Sequence, residues 1–342
     1  MWLRATDKRR VAIFDATNTT RKRRLDLCHK ARQQNVELLF VESICDDKEV
    51  LKSNYELKLQ NDDYRGMDPD QAREDFRQRV LAYEKVYETI EDDEDNSQIC
   101  YLKLVNVGQK TITRGCSGYL PSQVAFFLQN VHIQPRRIYF ALAAENMDSV
   151  QNKVVFGSDN DRMTENGRQF ALDLANYFES RKVPDAKKPG EEFMILTGPD
   201  SVSAATIGHL RRVFPRYTTA LLSELSGGDM NQLSKDEMKT NFPVEYEKRR
   251  ADRLRYRFPG VGGESYLDVI ERTRPIVIEL ERQRKNVIVV CGKSVLRCLF
   301  AYFNGTEQSQ IPLLKFNMHR IYELTPGPFG CAVREINPCV EF

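Results

Sequence analysis

Residues 11–24 read VAIFDATNTTRKRR. A run of four apolar residues meets Asp15, then a turn rich in Thr and Asn, then four consecutive basic residues. This pattern predicts a buried parallel strand that ends at a phosphate site, because open α/β sheets place ligands at the carboxyl ends of their strands. At such an end Asp15 can hold Mg²⁺ or accept a proton from an attacking hydroxyl. Its ordinary role would be a helix N-cap, which Asp, Thr and Asn also supply. Of Arg21, Lys22, Arg23 and Arg24, one can grip a sugar phosphate, since guanidinium groups bind phosphate bidentately. For most of the four a solvated helix face is the expected role. A nucleotide site also needs a glycine-rich phosphate loop. The ten residues before the strand contain no glycine, and GxxxxGK[ST] occurs nowhere in the chain. The tetrad CGKS at 291–294 follows a strand and opens a helix, but the first glycine of the motif is replaced by Val287. It is read as a helix N-terminus that, with Lys293, binds phosphate weakly.

Outward from this stretch, strand and helix signals alternate. Residues 20–34 carry Leu25, Leu27 and Ala31 at helical spacing. ELLFVESICDD is a second strand, and 68–89 a helix opened by Asp-Pro with Phe76, Val80, Tyr83 and Tyr87 on one face. Residues 91–96 (EDDEDN) are expected to be a solvated acidic loop, YLKLVNVGQ a strand and LPSQVAFFLQNVH a short helix. A second series contains RRIYFALAA, FMILTGP, TTALLSEL and NVIVVCG as strands, with long helices at 165–181 and 264–284. NMHRIYELTP and CAVREINP form a closing antiparallel pair. The alternation predicts an α/β protein with mostly parallel sheets and a boundary near Gln134-Pro135.

The 342 residues are comfortable for two domains. A balance of 51 basic against 49 acidic residues argues against a nucleic-acid binder. No apolar run reaches the roughly 18 residues of a membrane span, and MWLRATDKRR has no secretory h-region. Eight scattered cysteines without a CxxC pair are expected to be reduced thiols of a cytoplasmic protein. His29, His132, His209 and His319 show no metal-ligand spacing.

FDATNTTRKRR, FVESICDD, KSNYELKLQNDDY and AREDFRQRVLAYEKVY resemble the bifunctional 6-phosphofructo-2-kinase/fructose-2,6-bisphosphatase family. So do NVHIQPRRIYF, RYRFPGVGGESYLDVIERTRPIVIELERQ, VLRCLFAYF and KFNMHRIYELTPGPFGC. The resemblance runs from about residue 10 to the end. It implies part of a P-loop kinase-type parallel sheet over 1–133, followed over 134–342 by a histidine-phosphatase domain, phosphoglycerate mutase-like and layered α/β/α. The implied reaction moves the ATP γ-phosphate to the 2-hydroxyl of fructose 6-phosphate, with Mg-ATP as substrate and no tightly bound cofactor. Asp15 matches the family's aspartate for Mg²⁺ and catalysis, and Cys45 its active-site cysteine. Thr17, Arg23, Arg79 and Tyr83 match sugar-phosphate contacts. Asn54 and Lys58 match nucleotide contacts, Lys58 also touching the sugar, although NYELK is one residue shorter than the family's segment. The family's P-loop strand lies before anything in this sequence. The expectation is therefore a shortened chain, inactive alone, because a parallel sheet without that central strand would leave two raw edges. Kinase domains of the family tend to pair as homodimers.

In the second half the family's R-H-G-E-N falls on Leu142, Ala143, Ala144, Glu145 and Asn146. Its second active-site histidine falls on Gly292 and a further arginine on Val202, while its general acid survives as Glu224. Without a nucleophile no phosphatase turnover is expected. Arg249, Arg253 and Arg297 match positions that hold the bisphosphate, and Lys293 and Lys235 add two charges. The alternative to a kinase is thus a non-catalytic protein that binds sugar phosphate or a partner protein.

Overall fold

A computed structural model of the chain describes residues 11–59, 64, 66–106, 109–131, 136–151, 153, 163–180, 193–212, 214–327 and 330–340. It divides into two compact units, Met1–Val131 and His132–Phe342, and the expected boundary at Gln134-Pro135 lies outside the described residues.

The first unit contains helix α1 (Arg21–Gln33), strand β1 (Phe40–Ile44), helices α2 (Lys48–Leu59) and α3 (Pro69–Glu84), and the short turn α4 (Glu94–Ser97). Strands β2 (Tyr101–Val105) and β3 (Lys110–Arg114) and helix α5 (Tyr119–Asn130) follow. β1 and β2 pair in parallel and β2 and β3 antiparallel, so this sheet is mixed rather than parallel. Residues 11–16 do not form the expected strand. They join no ladder, and Val11, Ile13 and Phe14 are 69%, 91% and 57% exposed. An apolar run becomes a strand only where a neighbour takes its N–H and C=O groups, and the described sheet gives this one no neighbour. Asp15 therefore does not end a strand here.

Thr20, instead, caps α1 by accepting from the Arg23 N–H. The buried residues of α1 are Arg24 and Cys28, not Leu25, which is exposed. Asp68 caps α3 with proline in the first turn, and the helix stops at Glu84, five residues short of expectation, so Tyr87 lies beyond it. The acidic segment 91–96 is only partly the expected solvated loop, since Glu91, Asp92, Asp93 and Asn96 are exposed but Glu94 and Asp95 turn inward. Glu94 is buried, and Arg24 Nε donates to its Oε2 at 2.9 Å. Arg21 pairs with Asp93 at 2.8 Å and Arg32 with Asp95. Asp95, Asn96 and Ser97 adopt left-handed φ of 52°, 54° and 62°, which turns the carboxylates back onto the basic face of α1.

The second unit holds one six-stranded sheet of order β6-β5-β7-β4-β8-β9. β4 (Ile138–Leu142), β5 (Phe193–Thr197), β6 (Arg216–Thr218) and β7 (Asn286–Cys291) are parallel, and β8 (Ile321–Gly327) with β9 (Gly330–Ile336) forms the antiparallel edge. Its helices are α6 (Met147–Val150), α7 (Glu165–Ser180), α8 (Ser201–Thr206), α9 (Lys235–Asn241), α10 (Pro243–Ala251), α11 (Tyr266–Arg282) and α12 (Lys293–Phe303). Alternate residues of β4 and β7 face opposite layers, as the two-residue period of a strand requires. Ile138, Phe140, Val287 and Val289 pack with Val269 of α11 and Leu296 of α12. Tyr139, Ala141, Ile288 and Val290 pack with Phe170, Leu174 and Phe178 of α7. The unit is therefore an α/β/α sandwich. Of TTALLSEL only Thr218 is in a strand, as the end of β6, and the rest contributes a 3₁₀ turn, Ala220–Leu222, whose Leu222 is apolar for packing and not for a ladder. No helix among the described residues is long and apolar enough to cross a membrane.

Candidate functional sites

In the first unit the candidate residues are spread over five segments. Asp15 and Thr17 are exposed on the irregular opening segment. Arg23, also exposed, donates from Nε to Asn18 Oδ1 at 3.1 Å. Cys45 follows β1 half-buried, its thiol 3.8 Å from the Asp47 carbonyl. On α2, Asn54 is exposed and Lys58 half-buried. Arg79 of α3 donates to the Tyr64 hydroxyl at 3.0 Å, which in turn donates to Asp75 at 3.1 Å. That bond to the phenol is the main cause that raises the Arg79 guanidinium further above its ordinary value. Tyr83, one turn later, lines a cleft of about 230 Å³ with Thr19, Val80, Glu84 and Tyr87. The structure thus brings Tyr83 to the end of the opening segment. It places no direct contact among Asp15, Thr17, Arg23, Asn54 and Arg79.

The fit to Mg-ATP is partial. Asp15 offers one exposed carboxylate, and the described residues hold no cluster of three or more potential metal ligands. Magnesium commonly relies on one or two carboxylates plus substrate phosphates, so Asp15 fits as one ligand of a nucleotide-borne ion and not as a protein cage.

Sequence reasoning missed the best-built polar network of this unit. Glu42 of β1 and Lys103 of β2, both buried, pair at 3.3 Å. Thr89 donates to Glu42 at 2.9 Å and Tyr87 also donates to it. Burial first, then Glu42, pushes the Tyr87 phenol up to about 12. The register pair Glu42↔Lys103 was the available signal, but it requires knowing which strands pair.

In the second unit the parallel strands converge at their carboxyl ends. Leu142 is the register partner of Cys291, and the Ala143 N–H donates to the Cys291 carbonyl at 3.0 Å. Ala143 and Gly292 therefore leave the sheet side by side. Leu142 and Val202, the latter on α8 beyond β5, are buried and apolar. Glu224 arrives on a loop held by Arg272, which donates to the Leu221 and Ser223 carbonyls, each at 2.6 Å, and to Glu264 at 2.7 Å. Its carboxylate accepts the Ser294 N–H at 3.0 and 3.2 Å and so caps α12. It also fills the space beside Gly292, where any Cβ would overlap Glu224 Oε2. The CGKS helix end is accordingly not the weak phosphate site expected from sequence, because a carboxylate already occupies it.

Beside this edge stand Lys235 at the start of α9, Arg249 on α10, Arg253 just after it, and Lys293 and Arg297 on α12. Among the described residues none of the five forms an ion pair within 4.0 Å, the limit for such a pair. Burial, then the charge of Arg253 and more weakly Arg297, lowers the Arg249 guanidinium, with the Tyr266 and Tyr256 phenols opposing. Burial, Arg297 and Lys235 lower the Lys293 ammonium, and Glu224 opposes. Arg253 Nε is buried with no hydrogen-bond partner. Arg297 is fixed by the Leu314 carbonyl at 2.7 Å and the Tyr266 hydroxyl at 2.8 Å, and Arg249 lies over the Phe258 ring. His319 stands two residues before Ile321, the register partner of Ala141, and so on the same edge as Ala143. Its ring packs on Phe170 and its Nε2 is buried without a partner. Sequence gave no sign of this approach, which depends on antiparallel register.

Residues 2–135 match the family model described as 6-phosphofructo-2-kinase, and residues 144–338 that of the histidine phosphatase superfamily (branch 1). The chain is 37% identical to 6-phosphofructo-2-kinase 1 of Saccharomyces cerevisiae, over 94% of this chain and 40% of that protein. It is 35% identical to the 6-phosphofructo-2-kinase/fructose-2,6-bisphosphatase of Aquarana catesbeiana and to form 4 of Homo sapiens, each over 95% of this chain and 66% of the relative. It thus spans from 40% to 66% of these three relatives. Among solved structures, the alpha-ribazole phosphatase from Shigella flexneri matches with a TM-score of 0.50 at 15% identity, over 59% of this chain and 96% of that one.

Proposed function

Since the chain belongs to the 6-phosphofructo-2-kinase/fructose-2,6-bisphosphatase family, with its second unit in the histidine phosphatase superfamily, we propose that the protein serves as a 6-phosphofructo-2-kinase. It would phosphorylate the 2-hydroxyl of fructose 6-phosphate from Mg-ATP, in the cytoplasm. The observation that carries this reading is the continuous match to relatives so named along both units. The described first unit would contribute the sugar side, with Arg79, Tyr83, Thr17, Arg23 and Lys58 around fructose 6-phosphate and Asp15 toward the metal. The ATP loop has no counterpart in these 342 residues. Its backbone donors and lysine carry most of the electrostatic stabilisation of phosphoryl transfer. The reading is tested with protein purified from its own cells, given Mg-ATP and fructose 6-phosphate. Fructose 2,6-bisphosphate should form. No product from the native protein would sink the kinase reading.

A second reading is favoured by the second unit. Ala143 and Gly292 offer no nucleophile, Val202 and Leu142 offer no cation, and Glu224 is engaged as a helix cap. Among the described residues the five cations nevertheless form no ion pair with a carboxylate. This supports a non-hydrolytic unit that captures phosphorylated sugar. Phosphate released from fructose 2,6-bisphosphate by the purified chain would overturn it.

A further inference from the structure

We propose that Cys100 and Cys116 form a modification site in the first unit, a dithiol that hydrogen peroxide oxidises to a reversible disulfide joining the start of β2 to the turn before α5. Oxidation there does not depend on the kinase or the capture reading.

Strand register brings the two thiols together. Tyr101 is the register partner of Arg114, so the next step along the ladder sets Cys100 opposite Gly115, the residue before Cys116. The two backbones are close there: a Cβ built on Gly115 would lie 3.4 Å from the Cys100 Cα and 2.7 Å from its Sγ. The Cys100 sulfur therefore lies over Gly115. Gly115 has a left-handed φ of 65°, which breaks the alternation that would send Cys116 to the far face of the sheet. The Cys116 thiol turns back onto the ladder and donates to the carbonyl of Tyr101, the residue after Cys100, at 3.4 Å. A disulfide needs Cα atoms about 4.4–6.8 Å apart, a range that includes the spacing across an antiparallel pair.

Both thiols are also within reach of a dissolved oxidant. Cys100 and Cys116 are half-buried, whereas Cys291 and Cys298, which share one core cluster in the second unit, are 0% and 6% exposed. Burial first, then the charge of Cys100, raises the Cys116 thiol and keeps it protonated. That leaves Cys100 as the first nucleophile, since the thiolate and not the thiol attacks. Its sulfur takes one oxygen of hydrogen peroxide as the O–O bond breaks, giving a sulfenic acid and hydroxide. The Cys116 sulfur then attacks the sulfenic sulfur, the S–S bond forms and the S–O bond breaks. The Cys116 proton leaves with the departing hydroxide as water, so two thiols are oxidised and one peroxide is reduced to two waters.

The test treats the full chain with hydrogen peroxide, alkylates the remaining thiols and digests with trypsin without reduction. Lys103, Lys110 and Arg114 lie between the two cysteines, so each cysteine falls in its own peptide. Mass spectrometry should find the two peptides joined, lighter than their sum by two hydrogens, and separated again by dithiothreitol. The oxidised chain should also unfold at a higher urea midpoint, because the cross-link closes a loop of about 15 residues in the unfolded chain. Cys100→Ser should abolish that shift. In Cys116→Ser the sulfenic acid at Cys100 should persist and be trapped by dimedone. If either variant fails to fold, the peptide map of the unsubstituted chain decides. Full alkylation of both Cys100 and Cys116 at a peroxide dose that oxidises the exposed Cys339 overturns the site. A disulfide from either one to a different cysteine overturns it too.

Discussion

Glu94 and Gly292 each show a side chain, or its absence, acting through one partner. The Glu94 carboxyl is pushed up by burial, but the Arg24 guanidinium and the Glu91 N–H outweigh this and hold it below the usual carboxylate range. A depressed carboxyl contributes stability that is present above its unfolded pKa of about 4.3 and is lost as pH falls through the folded value. Glu94→Gln should therefore destabilise the first unit by about 3 kcal/mol at pH 7, because it leaves a buried guanidinium without a counter-charge. It should also remove part of the acid sensitivity below about pH 4; urea titrations at pH 7 and pH 3.5 measure both effects, and an equal loss at the two pH values would contradict the assignment. At Gly292 an added methyl displaces Glu224 from the α12 N-terminus. Gly292→Ala should cost about 1 kcal/mol, the size of a lost helix cap. Glu224→Ala should cost a similar amount, and the double variant no more than either single one, as expected of groups that act through one contact. Full additivity in thermal melts would show that Glu224 is not the cap.

Helix α11 was readable from sequence to within two residues at each end, and its start has a local cause. Ser265 accepts from the Asp268 N–H, and Asp268 accepts from the Ser265 N–H at 2.8 Å. Ser265→Ala should lower stability by about 1 kcal/mol, seen as a lower urea midpoint with unchanged slope. The strands of the second unit were equally legible. IYFAL, FMILT and NVIVVC are covered on both faces, so their apolar runs are continuous and say so locally. VAIF looks the same in sequence and forms no strand, because an apolar run does not record whether a neighbour exists. TTALLSEL failed for a related reason: a leucine buried by a turn is indistinguishable, one residue at a time, from a leucine buried by a sheet.

Across the whole chain the charge nearly cancels, with 51 basic against 49 acidic residues, yet Lys235, Arg249, Arg253, Lys293 and Arg297 form no ion pair among the described residues and act on one another electrostatically. Binding of fructose 6-phosphate by the cluster should weaken several-fold between about 0.05 and 0.2 M salt, since partly exposed charges are screened over roughly 10 Å. Salt-independent heat would mean that the sugar hydroxyls, and not the phosphate, are held. By itself the sequence determined the α/β character, the long helices of the second unit, its antiparallel closing pair and the identities of Ala143 and Gly292, which carry no imidazole. These follow from local pattern and residue identity. The tertiary structure alone decided that Glu94 is buried against Arg24, that Glu224 fills the place beside Gly292, and that Glu42 meets Lys103. Each is a meeting of residues from separate elements, more than 60 positions apart in sequence. Which charges meet depends on strand order, register and the hand of single turns, and no local pattern encodes those.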